Sequence, residues 1–155
     1  MALVFVNIGS NLGNRETLIQ KTIELLSDKF GIICQSGVIE SDPWGYDSSH
    51  RFLNIGVSFQ SESDPENILK DLKDIEKSVS QKPHRDKDGN YADRFIDIDI
   101  MAIDNLAYKS EDLEIPHRHM RERSFFLLPM RDLAPDWIHP CSGETISEML
   151  TRINA

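Results

Sequence analysis

Leu53-Asn54-Ile55-Gly56-Val57-Ser58-Phe59-Gln60 alternates apolar with polar or small residues. That period of two predicts a strand with one buried face. Beyond it, Asp64-Pro65 starts a helix: the Asp carboxylate accepts from orphan backbone amides, and Pro is preset for the first helical position. Ile68, Leu69, Leu72, Ile75 and Val79 supply that helix with an apolar stripe. Upstream, Pro43, Gly45 and a cluster of polar residues mark 41–51 as a loop. Residues 32–40 before it read as another strand. Gly31 ends a helix capped by Asn14, in which Leu18, Ile19, Ile23, Leu25, Leu26 and Phe30 recur at roughly helical spacing. The chain opens on a β-rich run, Leu3-Val4-Phe5-Val6-Asn7-Ile8, and far downstream Ile96, Ile98, Ile100 and Ala102 mark a further strand. The order is β-α-β, β-α-β. It predicts an α+β sandwich of ferredoxin-like type, mainly an antiparallel sheet with helices packed on its faces.

The remaining segments follow from the same signals. Asp104-Asn105 is expected to turn the last strand into a short hairpin partner. Pro116 opens a polar-basic stretch, residues 124–133 are apolar, and a final helix is expected near 145–153. Residues 81–94 carry Lys82, His84, Arg85, Lys87 and Arg94 without apolar periodicity, which predicts a long exposed loop of the kind that is often functional. With 155 residues, 39% hydrophobic and 28% charged, the chain is expected to form one domain, 1–155. Its formal net charge of −9 argues against nucleic acid as a partner. Cys34 and Cys141 are far apart and in no ligand-like spacing, so reduced thiols are the expected state. The apolar start is too short to span a membrane, and no targeting signal is visible. A cytoplasmic protein that engages neither membrane nor nucleic acid is expected.

Asp97-Ile98-Asp99-Ile100 is the sharpest chemical feature. Residues two apart on a strand share a face, so two carboxylates stand side by side while the isoleucines point into the core. Such a pair repels itself unless a cation neutralises it, and hard oxygen ligands suit Mg²⁺ shared with substrate phosphates. On spacing alone a solvated strand face is the commoner explanation. Arg94, His117, Arg118, Arg121 and Arg123 surround the pair in sequence. They fit phosphate recognition and surface salt bridges equally well. Gly9-Ser10-Asn11-Leu12-Gly13 lacks the ending of a phosphate loop and reads as a strand-to-helix turn. Phe52 and Asn54 share a face opposite Leu53, an arrangement able to stack and edge-bond a flat heterocycle, though a core-edge Phe is the commoner case.

Order and residue type together resemble the hydroxymethyl-dihydropterin pyrophosphokinase family. The matching stretches are Gly9-Ser10-Asn11-Leu12-Gly13, Pro43-Trp44-Gly45, Phe52-Leu53-Asn54 and Arg94-Phe95-Ile96-Asp97-Ile98-Asp99-Ile100-Met101, then Pro116-His117, Arg123-Ser124-Phe125 and Leu133-Ala134-Pro135. The resemblance implies diphosphoryl transfer from ATP, as co-substrate, to the hydroxymethyl group of the pterin in folate biosynthesis. The pterin oxygen would attack the β-phosphorus in line and AMP would leave. Asp97 and Asp99 would hold two Mg²⁺ ions. Arg94, His117 and Arg123 would contact the triphosphate, with Glu76 and Ile100 also beside the nucleotide and Arg94 and Arg123 counted with the catalytic groups. Phe52 and Phe125 would sandwich the pterin, Asn54 would read its edge, and Asp42, Pro43 and Trp44 would complete that pocket. Loops 41–51 and 81–94 would close as lids, and a monomer is expected. The chain departs from the family at Gln81, where an arginine is usual and Lys82 or Arg85 stand nearby. It also departs at Asp93, a position usually proline or small, and at Arg118, where an aromatic is common. The main rival is a non-catalytic ligand-binding module, which has no need for a paired strand carboxylate facing arginines.

Overall fold

The computed structural model describes residues 1–46, 48–80 and 95–154. β1 (Ala2–Ser10) leads to α1 (Arg15–Phe30), whose Asn14 cap accepts from the Thr17 N–H at 3.1 Å. Gly31 stops α1 at φ 91°, a backbone conformation that costs glycine little. After β2 (Cys34–Ser41) and β3 (Phe52–Ser61) comes α2 (Pro65–Val79), with Asp64 accepting from the Asn67 N–H at 2.9 Å. β4 (Asp97–Ile103) completes the sheet, whose order is β2-β3-β1-β4 with every neighbour antiparallel. Two β-α-β units are thus interleaved, the ferredoxin-like arrangement that the order of elements predicts.

The sheet is covered on both faces. Against one, α1 and α2 pack Ile23, Leu26, Ile68 and Leu72 onto Val4, Val6, Ile8, Ile55, Val57, Phe59, Ile98 and Ile100. Against the other, α3 (Ser124–Leu133) and α4 (Ile146–Asn154) pack Phe126, Leu127, Met130 and Met149 onto Phe5, Met101 and Ala102. The sequence pattern of β3 is corrected by this second layer. Asn54, Gly56 and Ser58, which the alternation assigns to solvent, are buried beneath α3. Gly56 makes that possible: a Cβ there would sit 2.6 Å from the Cβ of Pro129.

Other boundaries shift for local reasons. β1 runs on through Gly9 and Ser10, which pair with Asn54 and Leu53. β2 begins at Cys34, leaving Ile32 88% exposed. The hairpin expected from Asp104-Asn105 does not pair with β4. Asp104 instead closes onto β1, accepting from the Leu3 N–H at 3.0 Å and donating its own N–H to the Leu3 carbonyl at 2.9 Å. The chain then forms a separate two-stranded sheet from β5 (Tyr108–Lys109) and β6 (Glu114–Ile115). The expectation of a long loop at 81–94 falls outside the described residues. Among those described, no helix is long and apolar enough to cross a membrane, and both cysteines are free and exposed.

Candidate active site

The three adjacent strands β3, β1 and β4 carry polar side chains at one end of the α3 face. Gly9 pairs with both Asn54 and Asp97, and Asn7 pairs with Asp99, so these residues meet on one floor. With Phe52, Arg123 and Phe125 they line a cleft of about 510 Å³. Asp97 and Asp99 are half-buried and face it together, while Ile98 and Ile100 enter the opposite core, as the period of two requires. Asn54 is 2% exposed and donates from Nδ2 to Ser41 Oγ at 2.8 Å. Its Oδ1 would lie 3.3 Å from any Cβ on Gly9, so glycine there keeps the floor clear. Asn7 was missed as a site residue, although a lone polar residue inside Val-Phe-Val…Ile was a legible signal. It donates from Nδ2 to the Phe125 carbonyl at 2.8 Å and so fixes the start of α3 over the cleft.

Charge in the cleft is strongly shaped by burial. Arg123 is 8% exposed; its Nη1 lies 4.0 Å from Asp99 Oδ2, and its guanidinium lies 4.3 Å from the centre of the Trp44 ring. His117 accepts at Nδ1 from the His119 N–H at 3.1 Å, which leaves the proton on Nε2. Burial first, then the Arg123 charge, pulls its pKa from 6.5 down to about 3, so at neutral pH it is an uncharged donor. Glu76, in the last turn of α2, accepts from the Ile98 N–H at 2.6 Å. Burial, reinforced by Asp97, pushes its carboxyl up to about 9 and keeps it protonated. The pair Asp97 and Asp99 therefore has no third full charge beside it from this side chain.

The structure gathers most of the sequence-read residues here. Glu76, Asp42, Trp44, Phe52, Asn54, Asp97, Asp99, Ile100, His117, Arg118, Arg123 and Phe125 all line the cleft. Pro43 is not among the lining residues, although both its neighbours are. Arg94 lies outside the described residues, as do Gln81, Lys82, Arg85 and Asp93. For Arg121 the structure selects the salt-bridge alternative: it is not among the lining residues and donates from Nε to Glu144 Oε1 at 2.6 Å, and that carboxylate also accepts from Arg152 Nε at 3.0 Å. The hydrogen bond from Arg121 holds the Glu144 carboxyl down to about 2. A wall made by Leu69 and Lys73 of α2 and by residues 109–114 was not foreseen. It arises where two distant segments meet, stapled by Glu66, which accepts from Tyr108 Oη at 2.6 Å and Ser110 Oγ at 2.9 Å.

Two carboxylates on one strand face suit Mg²⁺, which takes one or two of them and fills its remaining positions from water and phosphate. Among the described residues no group of three His, Cys, Asp or Glu side chains could hold a metal by itself. That donor set fits an ion shared with a bound polyphosphate. A ferredoxin-like sandwich with acids facing an arginine and a neutral histidine across one cleft has the layout of a phosphoryl-transfer enzyme. The sequence pattern of the family described as 7,8-dihydro-6-hydroxymethylpterin-pyrophosphokinase (HPPK) matches residues 5–135. The chain is 39% identical over 144 residues to the 2-amino-4-hydroxy-6-hydroxymethyldihydropteridine pyrophosphokinase of Porphyromonas gingivalis, covering 90% of this chain and 95% of that protein. It is 35% identical over 147 residues to the folic acid synthesis protein FOL1 of Dictyostelium discoideum, of which it covers 22%. The crystal structure of Plasmodium falciparum HPPK-DHPS with pteroate shares the fold, with a TM-score of 0.74 at 16% identity, over 97% of this chain and 42% of that one. The chain spans less than half of that solved chain. It belongs to the HPPK family.

Proposed function

We propose that this cleft transfers the diphosphoryl group of ATP to the hydroxymethyl group of 6-hydroxymethyl-7,8-dihydropterin. The products are AMP and the pterin diphosphate, a step of folate biosynthesis. The family and the curated relatives make the chain an ATP-dependent pyrophosphokinase. The observation that carries the site assignment is the convergence of Asp97, Asp99 and Arg123 on one cleft, with Arg123 Nη1 4.0 Å from Asp99.

Asp97 and Asp99 would hold two Mg²⁺ ions, which when bound neutralise phosphate charge and lower the pKa of the pterin hydroxyl. Arg123 and the Nε2–H of His117 reach toward the triphosphate, and Arg94 joins them in this reading. Glu76 and Ile100 border the nucleotide. Phe52 and Phe125 stack the pterin between them, and Asn54 reads its polar edge, held in place by the bond from its Nδ2 to Ser41. Asp42, Pro43 and Trp44 close that side through their backbone. Holding both substrates in line, with the segment between β2 and β3 excluding water, supplies the rest of the acceleration. The chain is read as one domain, 1–155, acting as a cytoplasmic monomer without nucleic acid or membrane partners.

The test is AMP release from ATP that requires both Mg²⁺ and the hydroxymethyl pterin. Asp97→Ala and Asp99→Ala should each lower turnover by roughly a hundredfold or more with unchanged circular dichroism. Near-normal AMP release from both variants would overturn the assignment.

A further inference from the structure

The loop between β2 and β3 is tied down from the β1–α1 turn. Asn11, 3% exposed, donates from Nδ2 to Tyr46 Oη at 3.1 Å and to the His50 carbonyl at 2.9 Å. Arg51 Nε adds a bond to Asp42 Oδ1 at 3.1 Å. Seated this way, Asp42, Trp44 and Tyr46 line the cleft, and the Trp44 indole lies on the Arg123 guanidinium, 4.3 Å from ring centre to Cζ. His119 stacks tilted on the indole, with ring centres 4.5 Å apart. On its own helix Arg123 has the rings of Phe126 and Phe125 at 5.0 and 5.3 Å. A guanidinium only 8% exposed is both desolvated and aimed by such faces, and a cation over an indole is worth most when water is excluded.

We propose that Trp44 is a positioning residue for Arg123: its indole face holds the guanidinium turned toward the triphosphate. The consequence is a link between the two halves of the cleft. Asp42 and Tyr46, from the same loop, line the cleft together with Phe52 and Asn54, so seating this loop on the pterin side also sets the phosphate-side cation. This rests on the reading that Arg123 contacts the triphosphate. It goes beyond that reading in giving the Trp44 side chain, rather than the loop backbone, a role exerted through another residue.

The experiment is binding of α,β-methylene ATP with Mg²⁺ by calorimetry, in the wild-type and Arg123→Met backgrounds. In the wild-type background Trp44→Phe keeps an aromatic face and should stay within about threefold, whereas Trp44→Leu should weaken the analogue roughly tenfold. Pterin binding without nucleotide should change less. In the Arg123→Met background Trp44→Leu should cost nothing further, because the indole has lost its target. Melting temperatures identify a variant that unfolds, and Trp44→Met then replaces the leucine. An unchanged affinity in Trp44→Leu, or the same loss in both backgrounds, overturns the proposal alone. Arg123→Met without any loss of analogue binding removes the phosphate assignment and the proposal with it.

Discussion

Gly56→Ala tests whether the second helical layer sets the site. In most strands this change would stabilise slightly, since alanine restricts the unfolded chain and contributes about 0.4–1 kcal/mol. Here the added Cβ would lie 2.6 Å from Pro129 Cβ and 3.2 Å from Leu133 Cδ1. Carbon atoms prefer about 3.5–4.0 Å, so α3 must lift by roughly 1 Å. The nearer contact is a ring carbon next to the backbone, which has no rotamer in which to retreat. Overpacking of this kind costs about 1–3 kcal/mol, outweighs the entropic gain and reverses its sign. For a chain of this size the melting temperature should fall by roughly 2–10 °C. Displacement of α3 also disturbs the 2.8 Å bond from Asn7 to the Phe125 carbonyl, and with it the placement of Arg123. A misplacement near 1 Å can cost about a hundredfold in rate, so kcat/KM should fall even where the fold survives. Scanning calorimetry beside an AMP-release assay reads both. A variant that melts at or above the parent temperature with unchanged kcat/KM would refute the claim that α3 is held against the sheet by that glycine.

Glu76→Gln should flatten a pH dependence of stability. The folded chain retains a proton on Glu76 up to about pH 9, whereas the unfolded chain loses it near the ordinary carboxyl value of 4.5. The folded state therefore binds more protons across that window, so this contribution is complete below about 4.5 and is lost as pH rises, with a limiting slope of about 1.4 kcal/mol per pH unit. Urea melts without Mg²⁺ at about pH 6 and about pH 8 should differ more in the parent than in the Gln variant, and parallel curves would contradict the buried, protonated carboxyl. Phe125→Ala should weaken pterin binding roughly tenfold while ATP binding changes less, since a stacked ring is lost on one side only. Calorimetry with each ligand separately decides it, and equal losses would remove the stacking role.

Much of the fold was legible because its signals are local. Asn14, Gly31, Asp64 and Pro65 act within a turn of where they stand, and Asp97 and Asp99 share a face whatever covers them. What was not legible depended on distant segments. The alternation in β3 said that Asn54, Gly56 and Ser58 face one way. It could not say that Ser124–Leu133 would return to bury them. Arg121 and Arg123 are equally basic and two residues apart in a turn entering α3, where no simple period assigns direction. Only packing sends one to Glu144 and the other under Trp44. The wall at Lys73 and 109–114 likewise exists because Glu66 joins α2 to the small hairpin.

The carboxylate pair and the core are two consequences of one strand register. β4 pairs with β1 so that Asp97 and Asp99 oppose Gly9 and Asn7 on the cleft face, which sends Ile98 and Ile100 into the core under α1 and α2. Continued alternation would then put Ala102 with those isoleucines and Ile103 beneath α4. The register shifts opposite Phe5 and Val6 instead, so Met101 and Ala102 both join the second core and Ile103 returns to the first. A bulge of this sort leaves a backbone group off the regular ladder. Here the Met101 carbonyl accepts from the His117 N–H at 2.9 Å, which brings His117 into the cleft that Asp97 and Asp99 line. A slip of one residue in β4 would bury both acids in an apolar core and expose the isoleucines. The burial that stabilises the sheet therefore opposes any arrangement that takes Asp97 and Asp99 out of the cleft.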